Sequence, residues 1–552
     1  MKKIIQIFVI IITFLGINTI QTQYQSKGSG FNYTSISASD SAKSIITLQK
    51  DIQKLLDASG LKTLRYGISI YSVDSKKYFF EKNSDLPLTP ASVSKLFTAI
   101  TALNYLGSDY KLKTELYIDG SIQNNILIGD VYLVGYGNPF FKSDHLDTMA
   151  QLIKEFGIKE IRGNIYADGS FFDDITERLD YSGDKDIVQA LQPITALMIN
   201  NNILKVTVTA GSRAGQLVSV QTEPPSDGFS FNVKAKVYGY IREDKKIQPS
   251  QRKRSSIEPQ YQLNHKTPFT NIIAGDSPSG IAQRRQSSKT QEGISVKTSL
   301  QSDGSQLIVV TGRLEAGKTY TYFDFIRKPD LVCAGSLKQK IEKLGINIIG
   351  SISQKSIKSI ENKSKLRIVY EVTNNITDLI VPMIKNSDNF LAEVLFKIIG
   401  AKSGKLRDNA KETRRLIDNM LENFGINCKE CVLYDGSGLS RRSRISADAI
   451  TRLLEKVYIT NYGKIIDSSL AIASVDGTIR NRFIGTLAEN NLHGKTGTHS
   501  NVSSLAGYVQ TLDGERLAYS MIFNGGDINT YKSIENGIGA ILAQFFYFNR
   551  IN

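Results

Sequence analysis

Cysteine and histidine are scarce: the 552 residues hold three of the first and four of the second, with no Gly-x-Ser-x-Gly segment. Three cysteines are too few for a disulfide scaffold, and no second pair stands beside Cys428 and Cys431 ("CKEC") to build a zinc site. In an oxidising compartment that pair closes a small loop and leaves Cys333 buried and free. A redox role is disfavoured, because the pair does not open a helix in a strand-helix unit. His145, His265, His493 and His499, without a nucleophile elbow, give no support to a serine–histidine hydrolase. The basic residues lack the aromatic interleaving of a base-stacking surface, which argues against nucleic acid as a partner.

What is present is a globular composition, 41% hydrophobic and 22% charged, neither disordered nor that of a multi-spanning membrane protein. The length suggests roughly three to four domains, or one large domain carrying insertions. The first residues, "MKKIIQIFVIIITFLGINTIQTQ", place two lysines before an apolar run too short for a comfortable span. Residues 1–23 therefore read as an export signal, with an uncleaved anchor as the alternative. Without the two leader lysines, 66 basic residues face 53 acidic ones, a net charge of +13 that favours anionic surfaces such as cell-wall polymers or lipid headgroups.

Residues 24–45 are Ser/Gly-rich and read as a linker, with structure expected from Ile46. Between 46 and 110 come a short helix ("LQKDIQKLLDASG"), two strands around a polar turn, and a helix that Thr89 can cap, Pro90 can open and Gly107 can end. From 111 to 354 the texture is short alternating strands, one or two β-rich domains. Within it, residues 240–293 are polar and basic and read as a mobile, solvated surface loop. Helical periodicity returns between 355 and 552, notably in "NFLAEVLFKIIGAK" and "KETRRLIDNMLENFG". The chain then closes with antiparallel strands, a hairpin at Asp513-Gly514, and a helix from Tyr531 to Phe546.

Chemistry-bearing residues stand in three of these places. "PASVSKLFTA" sets Ser92 three positions before Lys95 on a helical face, where the two side chains can meet. Ser108/Lys111, Ser182/Lys185 and Ser250/Lys253 share the spacing but not the helix. A lysine can serve as base if burial or a neighbouring cation lowers its pKa. Ser387-Asp388-Asn389 precedes an amphipathic helix, so its polar groups can project into a cleft or simply cap the helix. Lys495-Thr496-Gly497 opens a strand. Its cation and hydroxyl can hold a carboxylate, and its glycine admits an extended peptide at the strand edge.

The ordered set S-x-x-K, S-D-N, K-T-G resembles that of penicillin-binding proteins and serine β-lactamases. With Ser387 standing 295 positions after Ser92, the arrangement looks like the class C low-molecular-mass penicillin-binding proteins, the D-alanyl-D-alanine carboxypeptidase/endopeptidase family. "GDVYLVGYGNP", "GNIYADGSFFD", "DGSGLSRRSRIS", "VDGTIRNRF" and "GKTGTHSNVSSLAGYV" extend the resemblance from about residue 47 to the C-terminus. One departure is Asn138, where the family pattern has an acid, which bears on how a substrate side chain is read.

The resemblance implies an α+β fold, an antiparallel sheet flanked by helices. Residues 46–110 and 355–552 would form the catalytic domain, and 111–354 an insertion. It implies that Ser92 attacks the D-Ala-D-Ala bond, Lys95 takes its proton, and the acyl-enzyme is hydrolysed by water. Ser387 would relay a proton to the leaving amine, and Asn389 would hold the acyl-side amide. Lys495 would lower the pKa of Lys95 and, with Thr496 and Thr498, hold the terminal carboxylate. Gly497 and Asp388 complete the expected substrate-binding set, and the backbone N–H groups of Ser92 and Thr498 the oxyanion hole. No metal or organic cofactor is implied. The expected partners are peptidoglycan stem peptides and β-lactams, in the periplasm or on the outer face of the cytoplasmic membrane. A β-lactamase and a non-catalytic wall-binding protein are the rivals. The first is disfavoured because no E-x-x-L-N segment lies between Asn389 and Lys495, the second because the triplets are intact.

Overall fold

The computed structural model describes residues 38–61, 65–240, 293–405, 407–428 and 430–547. The leader and all but the ends of the 240–293 loop lie outside the described residues.

The catalytic region is built on a six-stranded antiparallel sheet in the order Ala471–Ile472, His493–His499, Val502–Gln510, Arg516–Asn524, Tyr66–Ser72, Lys77–Lys82. The two central partners, Val502–Gln510 and Arg516–Asn524, are apolar on both faces because both faces are covered. Leu505, Val509, Leu517, Tyr519, Met521 and Phe523 face a core closed by the helices Ala38–Ala58 and Ile528–Gln544. Ala506, Tyr508, Ala518 and Ile522 face a second core with the helices Lys95–Leu106, Ile376–Lys385, Asn389–Ser403, Asn409–Asn423 and Ala447–Tyr458. Each large side chain buried this way stabilises the fold by roughly 1.5–3 kcal/mol. Gly514, at φ 88°, turns the hairpin between the central strands, where the sequence places it.

The insertion has its own core. Its largest sheet pairs Lys111–Gln123 with Ile126–Gly135 through Asn124 and Asn125, both left-handed at φ 51° and 65°, as a two-residue hairpin turn requires. The strand Leu366–Asn375 pairs with the other edge of Lys111–Gln123, down to Asn375 opposite Lys111. The chain therefore leaves and re-enters the catalytic region through two neighbouring strands.

Three expected boundaries are corrected. The first helix begins at Ala38, inside the stretch read as linker, because its apolar stripe continues back from Leu48 to Ile45. The insertion extends past residue 354 to Asn375, since Leu366–Asn375 belongs to its sheet. The closing helix is Ile528–Gln544, starting earlier because Asp527 caps it by accepting from Thr530 N–H. Cys428 and Cys431 are disulfide-bonded, with Cα atoms 5.3 Å apart, and Cys333 is free and buried. Among the described residues no helix is long and apolar enough to cross a membrane.

Candidate active site

Ser92 lies in a short 3-10 turn, Ala91–Ser94, that leads directly into the helix Lys95–Leu106. Thr89 does not cap it. Instead Thr89 donates its N–H to Asn524 Oδ1 (2.9 Å), and its hydroxyl receives Arg444 (2.8 Å), so the end of a central strand clamps the approach to the turn. Ser504 Oγ donates to the Pro90 carbonyl at 2.6 Å. Ala91 is held at φ 48°, a left-handed conformation costly for a residue with a Cβ, which the surrounding clamps overcome. The first bond inside the turn is Val93 N–H to Pro90 O, which leaves the Ser92 N–H among the orphan donors of a helix start.

Lys95 is fully buried, and its Nζ meets three oxygens: Ser92 Oγ at 2.8 Å, Asn389 Oδ1 at 2.7 Å and the Ser437 carbonyl at 2.6 Å. Two of these, the amide oxygen and the carbonyl, can only accept. A neutral amine therefore gives its two N–H groups to Asn389 and Ser437 and turns its lone pair to the Ser92 hydroxyl. Burial brings the Lys95 pKa down to about 8, with Glu393, Asp435 and Asp388 pulling the other way. Lys495, also fully buried, is held well below the ordinary lysine value by burial and then by Lys95. Burial is thus the first cause at both lysines, and each buried cation disfavours the charge of the other.

The S-D-N triplet divides its work. Ser387 is half-buried at φ 62°, a second left-handed residue at the site. Asp388, expected to bind substrate, instead caps the helix Asn389–Ser403, its carboxylate accepting from Leu391 N–H at 2.9 Å. Asn389 gives its oxygen to Lys95 and its Nδ2 hydrogen to Gln189 Oε1 at 2.6 Å.

Behind Lys95 sits a buried charged layer that the sequence reading did not single out. Glu393 accepts from the N–H groups of Gly436 (3.1 Å) and Ser437 (2.8 Å) and from the Tyr181 hydroxyl (2.9 Å). Asp435 accepts from Gly438 and Ser440 N–H and from Arg178 at 2.9 Å, and burial followed by Glu393 raises its pKa to about 7. Together the two carboxylates fix the Asp435–Ser440 loop so that the Ser437 carbonyl points at Lys95. The phrase "DGSGLSRRSRIS" carried this signal, but a loop that works through its backbone carbonyl has no distinctive side chain to read. Because the Glu393 charge favours protonated Lys95, Glu393→Gln is expected to move the acid limb of acylation down by on the order of one pH unit. A loss confined to the plateau rate, with the limb in place, would mean that Glu393 only supports the loop.

The strand His493–His499 pairs along its whole length with Val502–Gln510, but on its other side, among the described residues, only His493 and Gly494 are paired. From Lys495 onward that edge is open to an extended chain. Thr496 and Thr498 alternate with buried Lys495, Gly497 and His499, and the Thr496 hydroxyl donates to Thr478 at 2.8 Å. Gly497 has a further reason to be glycine. A Cβ there would lie 2.5 Å from Pro90 O and 3.0 Å from Ser92 N, besides striking Ser504 Oγ. Gly497→Ala is expected to displace the Ser92 turn and cut acylation roughly 10- to 100-fold in a protein that still folds, since overpacking costs about 1–3 kcal/mol. Unchanged acylation kinetics in that variant would contradict the packing argument. Asn138, finally, is fully buried in the insertion, its amide donating to Asn374 Oδ1 (3.1 Å) and its oxygen accepting from Phe140 N–H. Both ends of its side chain are taken within the insertion. Among the described residues no cluster of ligating side chains could hold a metal ion.

A helix-flanked antiparallel sheet, a serine on the first turn of the central helix and a buried lysine against it define the penicillin-binding/serine β-lactamase-like class of acyl-transfer enzymes. The D-Ala-D-Ala carboxypeptidase 3 (S13) family model matches residues 48–300 and 270–545, and the chain belongs to that family. It is accordingly a low-molecular-mass penicillin-binding protein and a serine hydrolase. It is 27% identical over 519 residues to the D-alanyl-D-alanine carboxypeptidase of Actinomadura sp. (strain R39), covering 92% of this chain and 86% of that one. It is 24% identical over 486 residues to the D-alanyl-D-alanine carboxypeptidase DacB of Haemophilus influenzae, covering 87% and 88%. The crystal structure of penicillin binding protein 4 (dacB) from H. influenzae superposes with a TM-score of 0.61 at 21% identity, over 90% of this chain and 97% of that one. This last likeness supports the fold, including the large insertion.

Proposed function

We propose that the protein is an exported D-Ala-D-Ala carboxypeptidase, endopeptidase or both, that trims or cleaves peptidoglycan stem peptides through an acyl-enzyme on Ser92. The observation that carries this reading is the set of oxygens around Lys95 Nζ. Two obligate acceptors take its N–H groups and leave the lone pair for the Ser92 proton.

In the first step Ser92 Oγ bonds to the carbonyl carbon of the scissile D-Ala-D-Ala amide, and its proton passes to Lys95 Nζ. The developing oxyanion is met by the Ser92 and Thr498 backbone N–H groups, one such donor being worth about 3–4 kcal/mol. The C–N bond then breaks, and the leaving amine takes a proton relayed from Lys95 through the Ser387 hydroxyl. Water, deprotonated by the neutral Lys95, attacks the ester and restores Ser92. The substrate backbone lies along the open edge from Lys495, with its terminal carboxylate at Thr496, Thr498 and Lys495. A carboxylate arriving there favours protonated Lys495 and so draws a proton onto it. The net positive charge supports action on the anionic wall, in the periplasm or on the outer face of the cytoplasmic membrane.

The test supplies a stem pentapeptide and a cross-linked stem-peptide dimer and measures D-Ala release and dimer cleavage, with and without penicillin. Penicillin-sensitive hydrolysis of either is expected. Rapid turnover of penicillin itself would make the protein a β-lactamase, and folded protein that acts on neither peptide and takes up no penicillin would be a binding protein.

A further inference from the structure

The K-T-G edge is open along its backbone, but a loop that takes no part in the steps above stands beside it. After pairing with His493 and Gly494, the strand Ala471–Ile472 turns through Ser474, at φ 62°, into the stretch "VDGTIRNRF", Val475 to Phe483. This brings Thr478 to the Thr496 hydroxyl, which donates to it at 2.8 Å.

The loop is anchored to its surroundings on several sides. Asp476 accepts from Ile472 N–H at 2.8 Å and from Lys385 Nζ at 2.5 Å, and Lys385 ends the helix that leads into Ser387. Gly477, at φ 56°, lies so close to that helix end that a Cβ would stand 2.5 Å from Lys385 O. Farther along, Arg482 is fixed by Asn536 (2.8 Å) and Glu535 (2.9 Å), and its carbonyl accepts from Ser474 Oγ at 2.8 Å. The loop thus bridges the S-D-N turn and the K-T-G strand, which fixes where Thr478 meets the strand.

Counting hydrogens at the two hydroxyls gives the consequence. A hydroxyl has one hydrogen to give and can accept in return, whereas a carboxylate only accepts. Thr496 gives its hydrogen to Thr478, while the hydrogen of Thr478, an exposed residue, meets no acceptor among the described residues. Thr496 cannot hold a carboxylate with its hydrogen on Thr478. If both hydroxyls rotate, Thr478 donates to Thr496 and Thr496 donates to the carboxylate. The bond between them is kept with its direction reversed, and the two bonds in series polarise each other.

We propose that Thr478 is a positioning residue for the substrate's terminal carboxylate, turning the Thr496 hydroxyl toward it by donating to the Thr496 oxygen. The proposal rests on the reading of the K-T-G edge as the place of that carboxylate, and it adds to the subsite a residue from outside the three triplets.

The experiment measures kcat/KM for D-Ala release from a stem pentapeptide by wild type, Thr478→Val, Thr478→Ser, Thr496→Val and the double variant Thr478→Val/Thr496→Val. Thr478→Val is expected to lose roughly three- to tenfold, the scale of one hydrogen bond. Thr478→Ser, which keeps the hydroxyl, is expected to match wild type. In the Thr496→Val background Thr478→Val is expected to cost nothing more, because its effect passes through the Thr496 hydroxyl. No loss in Thr478→Val, an equal loss in Thr478→Ser, or the same further loss in the Thr496→Val background would overturn the proposal, the last because a residue that only supports the loop acts whether or not Thr496 carries a hydroxyl. A double variant no worse than Thr478→Val, with Thr496→Val the milder of the two, would put the carboxylate on Thr478 itself and overturn it as well. Wild type that releases no D-Ala would instead refute the terminal-carboxylate reading of the edge, and the proposal would fall with it.

Discussion

Ser92→Ala is expected to abolish covalent labelling by penicillin and to lower peptide hydrolysis by roughly 10⁴- to 10⁶-fold, the scale seen when a serine hydrolase loses its nucleophile. The change is expected to leave the fold intact. The Ser92 hydroxyl is half-buried and does not anchor the turn; that is done by Asn524 on Thr89 and Ser504 on Pro90. Thermal melting of the variant beside wild type separates the two outcomes. A variant that melts with wild type and still labels would place the nucleophile elsewhere.

Lys95→Met is expected to reduce acylation by roughly 10²- to 10⁴-fold, the usual contribution of a positioned general base. The same residue sets the pH profile. Only the neutral amine can take the Ser92 proton, and its pKa is about 8. Acylation of wild type should therefore fall about tenfold per unit as the pH drops below that value, reaching about 1% of the plateau at pH 6. A flat profile between pH 6 and 9 would remove Lys95 from the role of base.

Stability carries the opposite face of the same shift. A lysine whose folded pKa lies below its ordinary 10.5 binds fewer protons folded than unfolded between about pH 8 and 10.5, so stability rises with pH across that window. For a fully buried group shifted this far, the gain is about 3 kcal/mol. The denaturation midpoint of wild type should climb in that interval relative to Lys95→Met, in which the term is absent.

Much of this was legible in the sequence, for identifiable reasons. Ser92, Lys95, Asn389 and Lys495 could be picked out because each belongs to a short local pattern on an element whose period is plain. The hairpin at Asp513-Gly514 declared itself through turn chemistry, and the both-faces-apolar strands around it through their continuous hydrophobic run. The insertion was recognisable as strand-rich but not where it ends. Leu366–Asn375 pairs with Lys111–Gln123 across more than two hundred residues of chain, and no local pattern encodes such a partner. Glu393, Arg178 and Gln189 were illegible for the same reason. Each is an ordinary helix or loop residue until the fold brings it to Lys95 or Asn389. A carboxylate beside a reactive serine and a carboxylate capping a helix look alike in sequence, and the Leu391 bond shows that Asp388 is the cap.

The measurement that tests the central claim most directly is peptide mapping by mass spectrometry. The protein is incubated with penicillin, quenched, digested and sequenced in the gas phase. The account requires one added penicilloyl mass on the peptide containing "PASVSK", located at Ser92 and absent when the protein is first saturated with a D-Ala-D-Ala peptide. An adduct on any other residue, or none on a protein that cleaves the peptide, would contradict it.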